Sequence, residues 1–163
     1  MNPLKKFIET PNDPLLSVLR LTLGVIFFAH GAQQTLGLFG GYGFSGTMNF
    51  FTSAMHIPPP LAFVAIMAQF VGGIALILGL ASRLAAFSIA VNMLVAIAMV
   101  HAHYGLFMNW FGTQKGEGFE YHLLAIAVAL PIIIRGSGAF SLDRLLATLA
   151  TQEVYPNAIP SLR

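Results

Sequence analysis

No cysteine occurs among the 163 residues. Its absence excludes a disulfide framework and thiol redox chemistry of the thioredoxin or quinone-coupled disulfide type, so any redox role must borrow a cofactor. Charge is nearly as scarce: six acids and eight bases make up 9% of the chain, against roughly a quarter in soluble domains. So few charges cannot cover the surface of a water-soluble globule, whereas lipid accepts apolar side chains on the outside. Dyad alternation of polar and apolar residues is also missing, which excludes barrel strands. The pI near 9.2 comes from bases scattered along the chain rather than gathered in a patch, so no nucleic-acid partner is expected.

What the chain has instead is a 56% hydrophobic content concentrated in four stretches, residues 15–36, 60–80, 84–104 and 120–135. About 20 helical residues cross a bilayer core, so four crossings are expected, the last being the shortest. The expected fold class is all-α, an integral membrane four-helix bundle. Lys5, Lys6, Arg20, Arg83, Arg135, Arg144 and Arg163 fall on one side and only Lys115 on the other, which is expected to place both termini in the cytoplasm, with the lipid bilayer as the first partner. The organisation is then a cytoplasmic segment 1–14, a membrane domain 15–145 with outer loops 37–59 and 105–119, and a cytoplasmic tail 146–163. Lys5 and Lys6 ahead of an apolar run resemble a signal peptide, but the run is too long and holds Arg20, His30, Gln33 and Gln34, so it reads as a retained helix.

The loop 37–59 has no Asp, Glu, Lys or Arg and interleaves glycines with Phe39, Tyr42 and Phe44, as suits an outer interface. Ser45 or Thr47 is expected to cap a short amphipathic turn through Phe50, Phe51 and Met55, stopped by Pro58, Pro59 and Pro60. Gly41-Tyr-Gly-Phe-Ser-Gly46 matches the dinucleotide pattern, but no strand precedes it and no βαβ unit surrounds it, so it reads as turn glycine. Ala62, Ala65, Ala68, Gly72 and Gly73 make the second helix the expected packing centre. Pro131 predicts a kink in the fourth.

Ionisable groups in a membrane cost roughly 2.5–3.5 kcal/mol each on insertion scales, so each asks for a partner or a purpose. His30, His101, His103, Glu120 and His122 fall in the outer third, Gln69 and Asn92 nearer the midplane, and Arg20, Arg83 and Arg135 at the inner end, where they can snorkel. Eleven residues return His103 to the face of Asn92, whereas His101 points nearly opposite, so His103 is the expected inward histidine. The candidate ligand-binding set is His30, Gln34, Gln69, Asn92, His103, Glu120 and His122. Three readings stand: hydrogen bonding that fixes helix register; a site for a quinone head group or similar polar-headed lipophile; or axial haem ligation by His30 with His103 or His122. The last is weakened because no two histidines share one helix at ligand spacing. No other metal site is expected.

The residues also resemble a family. Leu19-Arg-Leu-Thr-Leu-Gly24 leading to His30-Gly31, Phe39-Gly-Gly-Tyr-Gly43, Gly72-Gly73 with Gly79 and Arg83, and Gly136-Ser-Gly-Ala-Phe-Ser-Leu-Asp143 together are similar to the DoxX family of small four-helix bacterial membrane proteins. The resemblance implies a link to quinone-dependent oxidoreductases, such as a terminal quinol oxidase or a thiosulfate:quinone oxidoreductase, in which this chain would be a subunit rather than a catalyst alone. Relatives often show a lysine near position 34 and a glutamate near 69; here both are glutamine, as expected if a buried charge pair has been replaced without orphaning either partner. The expected function is a quinone-interacting subunit of a membrane redox assembly, with a protein partner or a second copy. The competing expectation is a non-enzymatic protein that binds or moves a small molecule, or supports assembly of partners, through the same outer pocket.

Overall fold

The structure, a computed structural model, describes residues 7–154; Lys5, Lys6, Arg163 and the outer parts of the two terminal segments lie outside them. Among the described residues all regular structure is helical. Helix α1 (Pro14–Leu36) starts where Asp13 accepts hydrogen bonds from the Leu15 and Leu16 amides at 2.9 and 3.4 Å, with proline in the first turn. A carboxylate at that end satisfies otherwise orphaned N–H groups and suits the helix dipole. The expected loop holds a short helix α2 (Gly43–Asn49) that runs into a π turn (Phe50–Ala54). Ser45 and Thr47 lie inside α2, whose N-cap is Tyr42 without a side-chain cap, so the predicted hydroxyl cap is not formed. Helix α3 spans Pro59–Leu78 and ends two residues short of expectation because Gly79 turns left-handed (φ 69°). Helix α4 (Ser82–Ala96) continues through a π turn (Ile97–His101) and a 3-10 turn (Ala102–Tyr104). Helix α5 (Glu120–Arg135) runs through Pro131, and α6 (Leu142–Val154) follows with Ser141 Oγ accepting the Arg144 amide at 3.3 Å.

Three helical segments, Pro14–Leu36, Pro59–Leu78 and Ser82–Tyr104, are long and apolar enough to cross a membrane. Helix α5, at sixteen residues about 24 Å long, packs beside α4 and α1, while α3 joins α1 to α4, so the four long helices close a ring. Leu23 and Phe27, Leu76, Ile89 and Met93, and Ala129 and Ile132 fill its centre. Their outward faces carry exposed Val25, Val64, Phe87, Leu124 and Ile134, the surface of a chain solvated by lipid. The closest pairing is α1 on α3. A side chain built on Gly73 would stand 2.5 Å from the Phe28 amide nitrogen, and one on Gly31 2.5 Å from that of Phe70. Only hydrogen fits there, which is why the small-residue signal in the second stretch marks a packing helix.

The arginine end of the bundle corrects the expectation that Arg20 and Arg83 snorkel to headgroups. Arg20 is 1% exposed. Its guanidinium donates to the carbonyls of Leu76, Ile77 (2.8 Å), Ser137 (3.0 Å) and Phe140 (3.2 Å). It thus satisfies the open C-terminal carbonyls of α3 and ties them to the α5–α6 connection. Arg83 does the same for α5, donating to Ile133 (2.9 Å) and Ile134 and to the carbonyls of Phe7 and Glu9. Buried Asp143 accepts the Ala81 and Ser82 amides at 2.8 and 3.1 Å and the Ser137 hydroxyl, placing an anion at the start of α4. Residues 136–143 are therefore a knot joining α1, α3, α4 and α6. Of the three arginines, Arg135 keeps an exposed head, 3.6 Å from Asp13.

Candidate functional site

At the opposite, histidine end the helices splay around a cavity of about 800 Å³. Helix α1 contributes Phe27, His30 and Gln34, α3 contributes Ala65, Ala68 and Gln69, α4 a stripe from Leu84 to His101, and α5 Tyr121 and His122. Phe50 and Phe51, on the π turn after α2, and Met55, which caps it, roof it together with Ile57 and Pro58. The wall is mostly aliphatic and aromatic, with polar side chains from all four long helices set into it.

Five of the seven candidate residues, His30, Gln34, Gln69, Asn92 and His122, line this cavity; His103 and Glu120 do not. His103 is exposed on the 3-10 turn against Tyr104, with ring centroids 4.2 Å apart. The wall histidine is His101 instead. The stretch is not α-helix to its end: it passes into a π turn (Ile97–His101) and then a 3-10 turn (Ala102–Tyr104), so a phase carried from Asn92 at about 100° per residue does not hold there. Glu120 Oε2 accepts the Met108 amide at 3.3 Å, and Glu117 Oε2 the Asn109 amide at 2.6 Å, so both carboxylates fold the connection between α4 and α5. Gln33 turns away from the cavity to donate to Phe39 at 3.2 Å. His56 is exposed and stands at the cavity rim.

The polar head of the cavity is built by ring packing. His101 and His122 rings lie 4.1 Å apart, tilted by 42°. Tyr121 stands edge-on to His122 at 5.6 Å and 6.3 Å from His30. His101 Nδ1 is 2.7 Å from the Glu117 carbonyl; a carbonyl only accepts, so Nδ1 carries hydrogen and a neutral ring keeps its lone pair on Nε2. Asn92 Nδ2 donates to the Ala65 carbonyl at 2.9 Å, joining α4 to α3. Gln34 Oε1, the Tyr121 hydroxyl and His122 Nδ1 are buried and have no hydrogen-bond partner among the described residues. Three unpaired polar atoms on one apolar wall are costly in lipid, each by roughly 1–3 kcal/mol. An acceptor, a hydroxyl and an imidazole together can receive a small head group that bears both oxygen acceptors and a transferable proton.

Tyr121 and His101 are the residues that sequence reasoning missed. Tyr121 carried a signal, since it sits beside His122 at the start of a helix, but tyrosine is also ordinary at a membrane interface. The glycine pattern 41–46 forms the entry to α2, with Gly43 at φ 67° and no strand before it, as its reading as turn glycine requires.

Comparison with known proteins adds the lineage. The chain is 30% identical over 126 residues to a Bacillus subtilis protein named "Putative oxidoreductase CatD", covering 77% of this chain and 82% of that one. It is 31% identical over 147 residues to an uncharacterized protein of Haemophilus influenzae, covering 88% and 96%. No solved structure matches it. The model of one family, DoxX, matches residues 15–102, the stretch that supplies the first three long helices, most of the cavity wall and the two arginines that cap helix ends, and this multi-pass membrane protein belongs to the DoxX family.

Proposed function

We propose that the chain is a quinone-interacting subunit of a redox assembly in a bacterial inner membrane, crossing four times with both ends in the cytoplasm. Orientation rests on the seven bases against one noted above. The fourth crossing is supported by α5, which starts beside the histidines and ends at the carbonyls held by Arg83, and so runs the length of the bundle. At sixteen residues, about 24 Å, it is shorter than a core of about 30 Å, a mismatch that local thinning of the bilayer accommodates.

The observation that carries the ligand reading is the set of three unpaired buried atoms, Gln34 Oε1, Tyr121 Oη and His122 Nδ1, on the wall of one cavity. A quinone supplies reversible two-electron, two-proton chemistry when bound. Gln34 and Tyr121 would orient its oxygens, and His122, against the His101 ring, would exchange a proton at Nδ1. Glutamine at 69 cannot titrate, and Glu120 is engaged with Met108. Proton handling therefore falls to the imidazoles and the phenol. The wall offers electrons no other route, so the redox partner is another protein. Of the two haem pairings, His30 with His103 has no support, since His103 stands off the wall, while His30 and His122 both line the cavity.

A quinone without a tail should stabilise the detergent-solubilised protein, by about 2.7 kcal/mol at a hundredfold excess over Kd. His122→Leu and Gln34→Leu should abolish that shift. If such quinones leave the melting temperature unmoved, the non-enzymatic reading takes over: binding or movement of another small molecule, or assembly of partners.

A further inference from the structure

The head site described above occupies only one end of the cavity. Below it the wall follows α4 through Val95, Val91, Phe87 and Leu84, a three-four spacing along one face, and α3 inward from Leu61 and Val64, beside the roof, through Ala65 and Ala68 to Gln69. The four α4 side chains, with Leu61 and Val64, are also among the exposed apolar residues of the bundle, with Leu61 60% and Leu84 59% open. The same surface therefore walls the groove and meets the lipid. The cavity is open sideways between α3 and α4, while Phe50, Phe51 and Met55 cover it on the side of the outer loop.

Its length discriminates among lipids. From Leu84 to Val100, both on the wall, the helix rises about 24 Å. One leaflet of hydrocarbon is about 15 Å deep. A fatty acyl chain anchored at the histidine end would stop near the midplane, and the Leu84 end of the groove would be left unfilled. We infer that the groove holds the polyprenyl tail of a bilayer-dissolved amphiphile, which enters laterally between α3 and α4 with its head directed to Gln34, Tyr121 and His122. The inference rests on the quinone reading of the head site and adds the tail, its length and its route. Lipid is as apolar as the groove, so the tail gains packing and orientation rather than hydrophobic transfer. Its contribution is accordingly modest, about tenfold in affinity.

The test is equilibrium binding, in detergent, of three quinones sharing one head: no tail, a short prenyl tail and a long polyprenyl tail. Wild type should bind the long form about tenfold more tightly than the tail-less one. Ala68→Trp and, independently, Val91→Trp narrow the groove below the head. Each should reduce the long form to the affinity of the tail-less one while leaving tail-less binding unchanged, which also shows that the variant is folded. Equal affinity for all three quinones in wild type would overturn the tail groove and leave the head site standing. Preference for the long form that survives both tryptophans would place the tail elsewhere and overturn it too. Failure of every quinone to bind wild type would remove the head-site reading, and the groove assignment with it.

Discussion

Arg20 is the most costly residue in the molecule to bury and the one with the most to do there. Four backbone carbonyls receive its guanidinium, and Ser137 bridges it to Asp143 by offering its carbonyl to the arginine and its hydroxyl to the carboxylate. Removing one member of such a network strands the other, at about 3–5 kcal/mol. Arg20→Met and Asp143→Asn should each lower the detergent melting temperature, and the double variant should lose clearly less than the sum of the two; strict additivity would show that the groups are independent. Sequence could flag Arg20 as expensive but not as a helix cap, because its partners lie more than fifty residues away in the chain. A second prediction concerns Gln34 and Gln69, which share the cavity wall. Gln34→Lys alone should cost about 2.5–3.5 kcal/mol, and adding Gln69→Glu should restore most of it. A double variant no more stable than Gln34→Lys in thermal melts would show that the two positions cannot pair. Both glutamines were legible in the sequence because an amide inside an apolar run is conspicuous; which atoms would be left unpaired was not, since that depends on the packing of four helices.

The π turn Ile97–His101 ends on the histidine that lines the cavity: His101 stands on the wall against the ring of His122, while His103, on the 3-10 turn after it, is exposed. The absence of cysteine from the chain makes single-cysteine labelling clean. A water-soluble maleimide should modify His103→Cys rapidly and His101→Cys slowly, and the reverse order would mean that the stretch is regular α-helix. Helix type and approximate extent were readable from hydropathy, since apolar runs of this length have few alternatives in lipid. Local winding was not, because a π turn differs from an α turn by one hydrogen-bond step and leaves no compositional mark. The roof over the cavity was half legible: Phe50, Phe51 and Met55 stood out as an amphipathic turn, but the cavity beneath them is a property of the assembled bundle.

At the scale of the whole chain the two ends of the bundle divide the work. Leu76 and Ile77, three and two residues before Gly79, receive Arg20; Ile133 and Ile134, three and two before Gly136, receive Arg83. The hairpins α1/α3 and α4/α5 are thus closed by the same device, and the knot at 136–143 fastens them together. At the histidine end three buried polar atoms on the cavity wall stay unpaired, a local cost that a merely structural cluster would have removed by pairing them. The central claim is that these atoms await a quinone. Its most direct test is mass spectrometry of the lipids extracted from protein purified gently from a bacterial membrane, alongside His122→Leu purified identically and shown by its melting profile to be folded. A stoichiometric polyprenyl quinone in the native protein, lost from the variant, is the predicted result; no quinone in either preparation, or the same amount in both, would contradict it.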